Sequence, residues 1–117
     1  MNTIKLFSDI NARTIDIFRR ADDTQPLYIA LDSVGGSVYE AFKIYVLIRE
    51  RQQPTFINVV GYCYSAASVI LLAASAERRT ESANASFLIH SPFLCEKEPD
   101  THLTIEKTES YTAEMKA

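Results

Sequence analysis

Three short segments of this sequence carry residue types that perform acyl-transfer chemistry. Ser65 stands in Gly61-Tyr62-Cys63-Tyr64-Ser65-Ala66-Ala67-Ser68. His90 ends Phe87-Leu88-Ile89-His90 and precedes Ser91-Pro92. A double glycine lies in Ser33-Val34-Gly35-Gly36-Ser37-Val38. A serine hydroxyl becomes a nucleophile when a nearby base takes its proton, and histidine is the commonest such base. Backbone N–H groups at a glycine turn or a helix start hold the oxyanion that forms. Each segment also has a plainer reading. A serine ahead of a helix is commonly an N-cap, a lone histidine is commonly structural, and a glycine pair is enough for a tight turn.

The surrounding pattern supplies elements to position these groups. Residues 4–7 read as a short strand, and 11–21 as a helix with Ile15 and Phe18 on one face and Asn11 as its cap. A polar turn ending in Pro26 leads to the apolar run 27–31, a buried parallel strand. The glycines break that strand, Ser37 caps the next helix, and Val38, Ala41, Phe42, Tyr45 and Ile48 form its apolar face. Pro54 closes the unit and 55–60 is the next strand. Gly61 precedes a helix over 65–75 that is apolar nearly all round and therefore buried. Ser68 within it reads as buried packing. A turn at 82–85 and a strand at 86–90 follow, then a loop over 91–100 and an exposed polar helix over 101–117. Alternation of this kind predicts an α/β fold with a mostly parallel sheet and right-handed crossovers. Gly36, Ser65 and His90 then lie just past the carboxyl ends of strands, where such sheets collect their sites.

Composition narrows the function class. The 117 residues make one domain, 47% of them are hydrophobic, and the net charge is −3. There is no basic run, so nucleic acid is not an expected partner. The pairs Arg19-Arg20, Arg49 and Arg51, and Arg78-Arg79 read as solvated helix ends. No apolar stretch approaches the length of about 18 residues that spans a bilayer, and the first residues lack a signal-peptide core, so a cytoplasmic location away from membranes is expected. Cys63 and Cys95 have no metal-ligand spacing. Both read as buried or free thiols, with Cys63 close enough to Ser65 to meet probes aimed at it. His102 reads as solvated. No metal or other cofactor is expected.

Taken together, the three segments resemble the proteolytic subunit of the Clp protease. That family carries a strand, then S-P-G-G-S-V, a helix, a strand, G-x-A-A-S-M-G, a helix, and a strand ending I-H-Q-P. Here Ser33–Val38 matches the first block with Val34 in place of proline, Gly61–Ala67 the second, and Leu88–Pro92 the third. The steps of 29 residues from Gly36 to Ser65 and 25 from Ser65 to His90 agree with the family, and the resemblance covers about residues 4–115. The step to His90 also favours Ser65 over Ser68 as nucleophile.

The resemblance implies a ClpP/crotonase-like domain and a serine endopeptidase, of bacterial or phage type. Ser65 is then the nucleophile and His90 the base, with the N–H groups of Gly36 and Ala66 as the oxyanion hole. An extended peptide or protein substrate is expected to lie between Gly36-Ser37-Val38 and Ser91-Pro92-Phe93. Stacked homo-oligomeric rings are implied, built through a handle region at 91–117. The chain begins almost at its first strand, so docking of an ATPase partner is not expected. The family's third catalytic residue, an aspartate beyond the handle, has no match among the 117 residues. Glu96, Glu98 and Asp100 read as solvated surface instead. The sequence thus reads as the first two-thirds of such a subunit. Two other readings follow: a weak or inactive shortened subunit acting in assembly, and a crotonase-type acyl-CoA enzyme on the same fold. The Ser65–His90 pair speaks against the second.

Overall fold

The computed structural model describes residues 2–88. Five parallel strands form one sheet: β1 (Thr3–Leu6), β2 (Leu27–Ser33), β3 (Thr55–Tyr64), β4 (Arg79–Glu81) and β5 (Ser86–Leu88). The order is β1-β2-β3, with β4 beside Ile57–Val59 and β5 beside Tyr62–Tyr64 along the same edge of β3. Three helices connect them: α1 (Thr14–Arg19), α2 (Val38–Arg49) and α3 (Ala66–Leu71). The alternation, the parallel pairing and the strand-end positions of Gly36 and Ser65 are as expected. No helix among the described residues is long and apolar enough to cross a membrane.

All three helices pack on one face of the sheet. Leu27, Ile29 and Leu31 of β2 and Ile57, Val59 and Cys63 of β3 point into that core, where they meet Ile15, Phe18, Ala41, Ile44, Ile48, Ile70 and Leu71. The alternate strand residues, among them Tyr28, Phe56 and Tyr62, face the other side, and Tyr28 stacks on Phe56 with ring centroids 5.2 Å apart. Among the described residues no helix packs on that side, where the Arg78 guanidinium stands over the Phe56 ring at 5.9 Å.

Several boundaries differ from the sequence reading, each for a local reason. The first helix begins only at Thr14. Asn11 makes a tight polar turn ahead of it, with its Oδ1 accepting from the Arg13 N–H at 2.9 Å. β3 continues through Gly61 to Tyr64 instead of stopping at residue 60, and β4 is a polar strand that carries no apolar pattern. On α2 the buried stripe is Ala41, Ile44 and Ile48, which turns Phe42 outward at 54% exposure. α3 is buried as expected, though it ends at Leu71. Arg51 is not a solvated helix end. Its side chain is 4% exposed and staples the turn before β2, donating to the carbonyls of Asp22 at 3.0 Å and Gln25 at 2.7 Å and pairing with Asp23 at 2.9 Å. The expected strand residues 89–90, the loop 91–100 and the helix 101–117 lie outside the described residues, as do Cys95, His102, Glu96, Glu98 and Asp100.

Candidate active site

β3 hands directly to α3 through a single residue, Ser65. Its backbone has φ 53° and ψ −119°, the mirror image of the first central position of a type II turn and a place normally held by glycine. Among the described residues it is the one non-glycine with positive φ. Holding an L-residue there costs about 1–3 kcal/mol, so the surrounding structure must impose it. Three bonds do so: the Ser65 N–H donates to the Leu88 carbonyl at 2.6 Å, and the Ser65 carbonyl accepts from the Ser68 N–H at 3.0 Å and the Ser68 hydroxyl at 2.6 Å.

These angles exclude the plain capping role. A capping serine sits in the extended region and bonds back to the first turn, whereas Ser65 is left-handed and its side chain makes no cap bond. Such a one-residue elbow between a strand and a helix lifts the hydroxyl out of the chain's path. Ser68, the competing serine, is buried and bonded to Ser65 itself, in keeping with a packing role.

Ala66 opens α3, so its N–H belongs to the first turn, where helical N–H groups lack internal partners. Opposite stands the double-glycine turn. Ser33 Oγ accepts the Gly35 N–H at 3.1 Å and closes that turn without help from a proline at position 34. Gly35 has φ 104°, and a Cβ on it would lie 2.7 Å from the Tyr64 carbonyl, 3.0 Å from Ser65 Cβ and 3.2 Å from the Ala66 nitrogen. Only a residue without a side chain lets the turn approach the elbow this closely.

Gly36 has φ 143° and forms a parallel bridge with Ile10. Ile10 donates to the Gly35 carbonyl and accepts from the Ser37 N–H, both at 2.9 Å. In that pattern the intervening residue turns its own N–H and C=O the other way, so the Gly36 amide is free of Ile10. Of the residues expected to form the site, Gly36, Ser65 and Ala66 are thus gathered at one place. Ser37 is engaged elsewhere: its N–H with Ile10, its Oγ as acceptor from Glu40 N at 3.2 Å, and its carbonyl as acceptor from Ala41 N at 3.0 Å. It is a helix cap with Glu40 at the third position of the helix, so its backbone N–H and carbonyl are engaged and its hydroxyl keeps a donor hydrogen. Val38 is half-buried against the core. His90, Ser91, Pro92 and Phe93 lie outside the described residues.

Cys63, two residues before Ser65, is fully buried, and burial pushes its thiol from 9.0 up to about 12. It is a core residue and is not open to probes aimed at Ser65. Sequence reasoning overlooked three neighbours: Ile10, Asp32 and Tyr64. The Tyr64 hydroxyl lies 3.0 Å from Ser86 Oγ and ties β3 to β5 beside the elbow. Asp32 was marked by one signal, a charge at the end of an otherwise apolar strand. Its Oδ1 accepts the Tyr62 N–H at 2.8 Å.

Comparisons with known proteins bear on the family and the fold. Residues 7–116 match the family model described as Clp protease. The chain is similar to the ATP-dependent Clp protease proteolytic subunit 2 of Treponema denticola, 37% identical over 105 residues, covering 90% of this chain and 52% of that one. It is also similar to the subunit of the same name from Gluconobacter oxydans, 30% identical over 107 residues, covering 90% and 47%. The chain therefore spans about half the length of these curated relatives. Among solved structures, ClpP1 from Listeria monocytogenes superposes with a TM-score of 0.74 at 22% identity, covering 89% of this chain and 65% of that one. The ClpP protease catalytic domain from Plasmodium falciparum gives 0.64 at 24%, covering 79% and 54%. At such identities these two likenesses speak for the fold, a parallel α/β sheet of the ClpP type. Sequence match and fold thus lead to one conclusion, which sets aside the acyl-CoA alternative: the chain belongs to the Clp protease family.

Proposed function

We propose that this chain supplies the nucleophile and oxyanion hole of a serine endopeptidase, with Ser65 as nucleophile, His90 as base, and the N–H groups of Gly36 and Ala66 as oxyanion donors. The observation that carries this reading is the left-handed Ser65 elbow set against the Gly35–Gly36 turn. A strained residue that does not cap its helix has no evident structural benefit, and strain of this kind gathers at functional sites. His90 follows Leu88 by two residues, and Leu88 is bonded to the elbow, which supports a histidine within reach of the hydroxyl.

The steps balance as ordinary acyl transfer. His90 takes the Ser65 proton as Oγ attacks a peptide carbonyl, and the Gly36 and Ala66 amides hold the resulting oxyanion. His90 then gives the proton to the leaving amine, and water resolves the acyl-enzyme. Each oxyanion donor contributes about 3 kcal/mol to the transition state. The substrate is an extended peptide laid along Gly36 and the segment after His90. Because the Ser37 backbone is engaged by Ile10 and α2, backbone bonds to substrate on this side fall to Gly36.

The chain acts as a homo-oligomer. The side of the sheet on which no helix among the described residues packs, with Tyr28, Phe56 and Tyr62, supports this, since parallel sheets are normally covered on both faces. The test of activity is cleavage of a fluorogenic peptide by the chain, by Ser65→Ala and by His90→Ala. Cleavage lost in both variants supports the assignment, and cleavage that survives Ser65→Ala contradicts it.

A further inference from the structure

The register between β2 and β3 breaks once. Leu31 pairs with Val59, yet Ser33 pairs with Cys63. Asp32 alone therefore faces three residues, Val60, Gly61 and Tyr62, a bulge of two extra residues in β3. Bulges of this kind often lie beside active sites, where they re-aim the strand. The bulge releases the Tyr62 N–H from the ladder, and Asp32 Oδ1 accepts it at 2.8 Å. Gly61 makes room for the carboxylate: a Cβ there would stand 2.5 Å from Oδ1, 2.6 Å from Cγ and 3.0 Å from Oδ2.

Both halves of the candidate site leave the sheet immediately after this bond. Asp32 is followed by Ser33 and the glycine turn, and Tyr62 by Cys63, Tyr64 and the elbow. Two extra residues advance β3 by about 7 Å relative to β2. An even number keeps Val59 and Cys63 both in the core. Without the bulge, Ser33 would pair with Gly61, and Gly35 would meet Cys63 instead of Ser65.

We propose that Asp32 is a positioning residue for the Ser65 site: its carboxylate occupies the bulge of β3, holds the Tyr62 amide, and so sets the elbow in register with the Gly35–Gly36 turn. This rests on the reading of Ser65 as nucleophile, but the geometry can be tested apart from activity. Amide hydrogen exchange by NMR is measured on the whole chain as wild type, Asp32→Ala and Asp32→Asn. A bond from a backbone N–H to a charged acceptor predicts that Asp32→Ala speeds exchange at Tyr62–Ser65 by about tenfold to a hundredfold. Exchange at Ile57–Val59, earlier in the same strand, stays within about threefold, a limit set below the effect of one such bond. Asp32→Asn, which keeps an acceptor oxygen, restores the slow exchange.

Unchanged exchange at Tyr62–Ser65 in Asp32→Ala overturns the proposal. So does equal loosening at Ile57–Val59, or failure of Asp32→Asn to restore protection. Gly61→Ala gives a second route, because its methyl group displaces the carboxylate. It should loosen the same amides, and adding Asp32→Ala to it should change little further. The rate of Ser65 labelling by a fluorophosphonate should fall in Asp32→Ala and recover in Asp32→Asn. A wild type that never labels, with exchange responding as stated, would overturn the hydrolase reading and leave the positioning role standing.

Discussion

The Ser65 N–H donates to the Leu88 carbonyl at 2.6 Å, and through this bond the elbow after β3 is anchored to the end of β5. The consequence is architectural. A residue in a left-handed conformation relaxes unless its neighbours hold it, and here the holding partner is the strand that leads to His90. The candidate nucleophile and the approach to the candidate base are therefore one hydrogen-bonded unit.

The strain at Ser65 gives a stability test separate from activity. Ser65→Gly removes the penalty of positive φ, and Ser65→Ala keeps it. Ser65→Gly should be more stable than Ser65→Ala by about 1 kcal/mol in urea denaturation, although both lack the hydroxyl. Equal stabilities would mean that the elbow is not strained.

Gly35→Ala should be far more damaging than an ordinary turn substitution. It places a methyl group 2.7 Å from the Tyr64 carbonyl at a φ of 104°. A loss of about 2–4 kcal/mol is expected, with the thermal midpoint of the folded chain as readout.

Cys63 predicts a pH dependence with a definite sign. Its thiol is raised by burial from 9.0 to about 12. Below pH 9.0 the thiol is protonated in both states and its contribution is fully present. Above that, the unfolded thiol ionises while the folded one does not, so unfolding is favoured. Stability should fall by about 1.4 kcal/mol per pH unit from this group across that window. Cys63→Ala should flatten that part of the curve, and a thiol reagent at pH 8 should label Cys63 only after denaturation.

The sheet face that carries Tyr28 and Phe56, on which no helix among the described residues packs, predicts association. Light scattering at micromolar concentration should give a mass above that of one chain, and Phe56→Glu should lower it, because a charge there opposes burial of the Tyr28–Phe56 stack. A wild type with the mass of a single chain would contradict the oligomer.

What was legible in the sequence was what local chemistry decides. The apolar run at β2, the Ser37 cap and the small-residue helix after Ser65 each follow from a few adjacent residues. Contacts between distant segments escaped it. Gly61 reads as a strand breaker in isolation, but the strand runs on because the glycine admits Asp32 from the neighbouring strand. Arg51 reads as a helix-end charge and instead staples a turn 26 to 29 residues earlier in the chain. Phe42 fits a helical stripe by spacing, yet the sheet lies against Ala41 and Ile44. The strain at Ser65 has no sequence signature at all, since only the closure of β3 onto α3 and β5 creates it.

The most direct test of the central claim is intact-mass labelling with a fluorophosphonate, on the wild type and on Ser65→Ala. In the Ser–His–Asp template the orienting carboxylate is worth about ten-thousand-fold in turnover, and none of the 117 residues is assigned to that part. Single labelling therefore reports on the nucleophile more directly than turnover does. One adduct per wild-type chain, absent from Ser65→Ala, is the predicted result. A folded wild type that takes no label, or an adduct that persists in Ser65→Ala, would contradict the account.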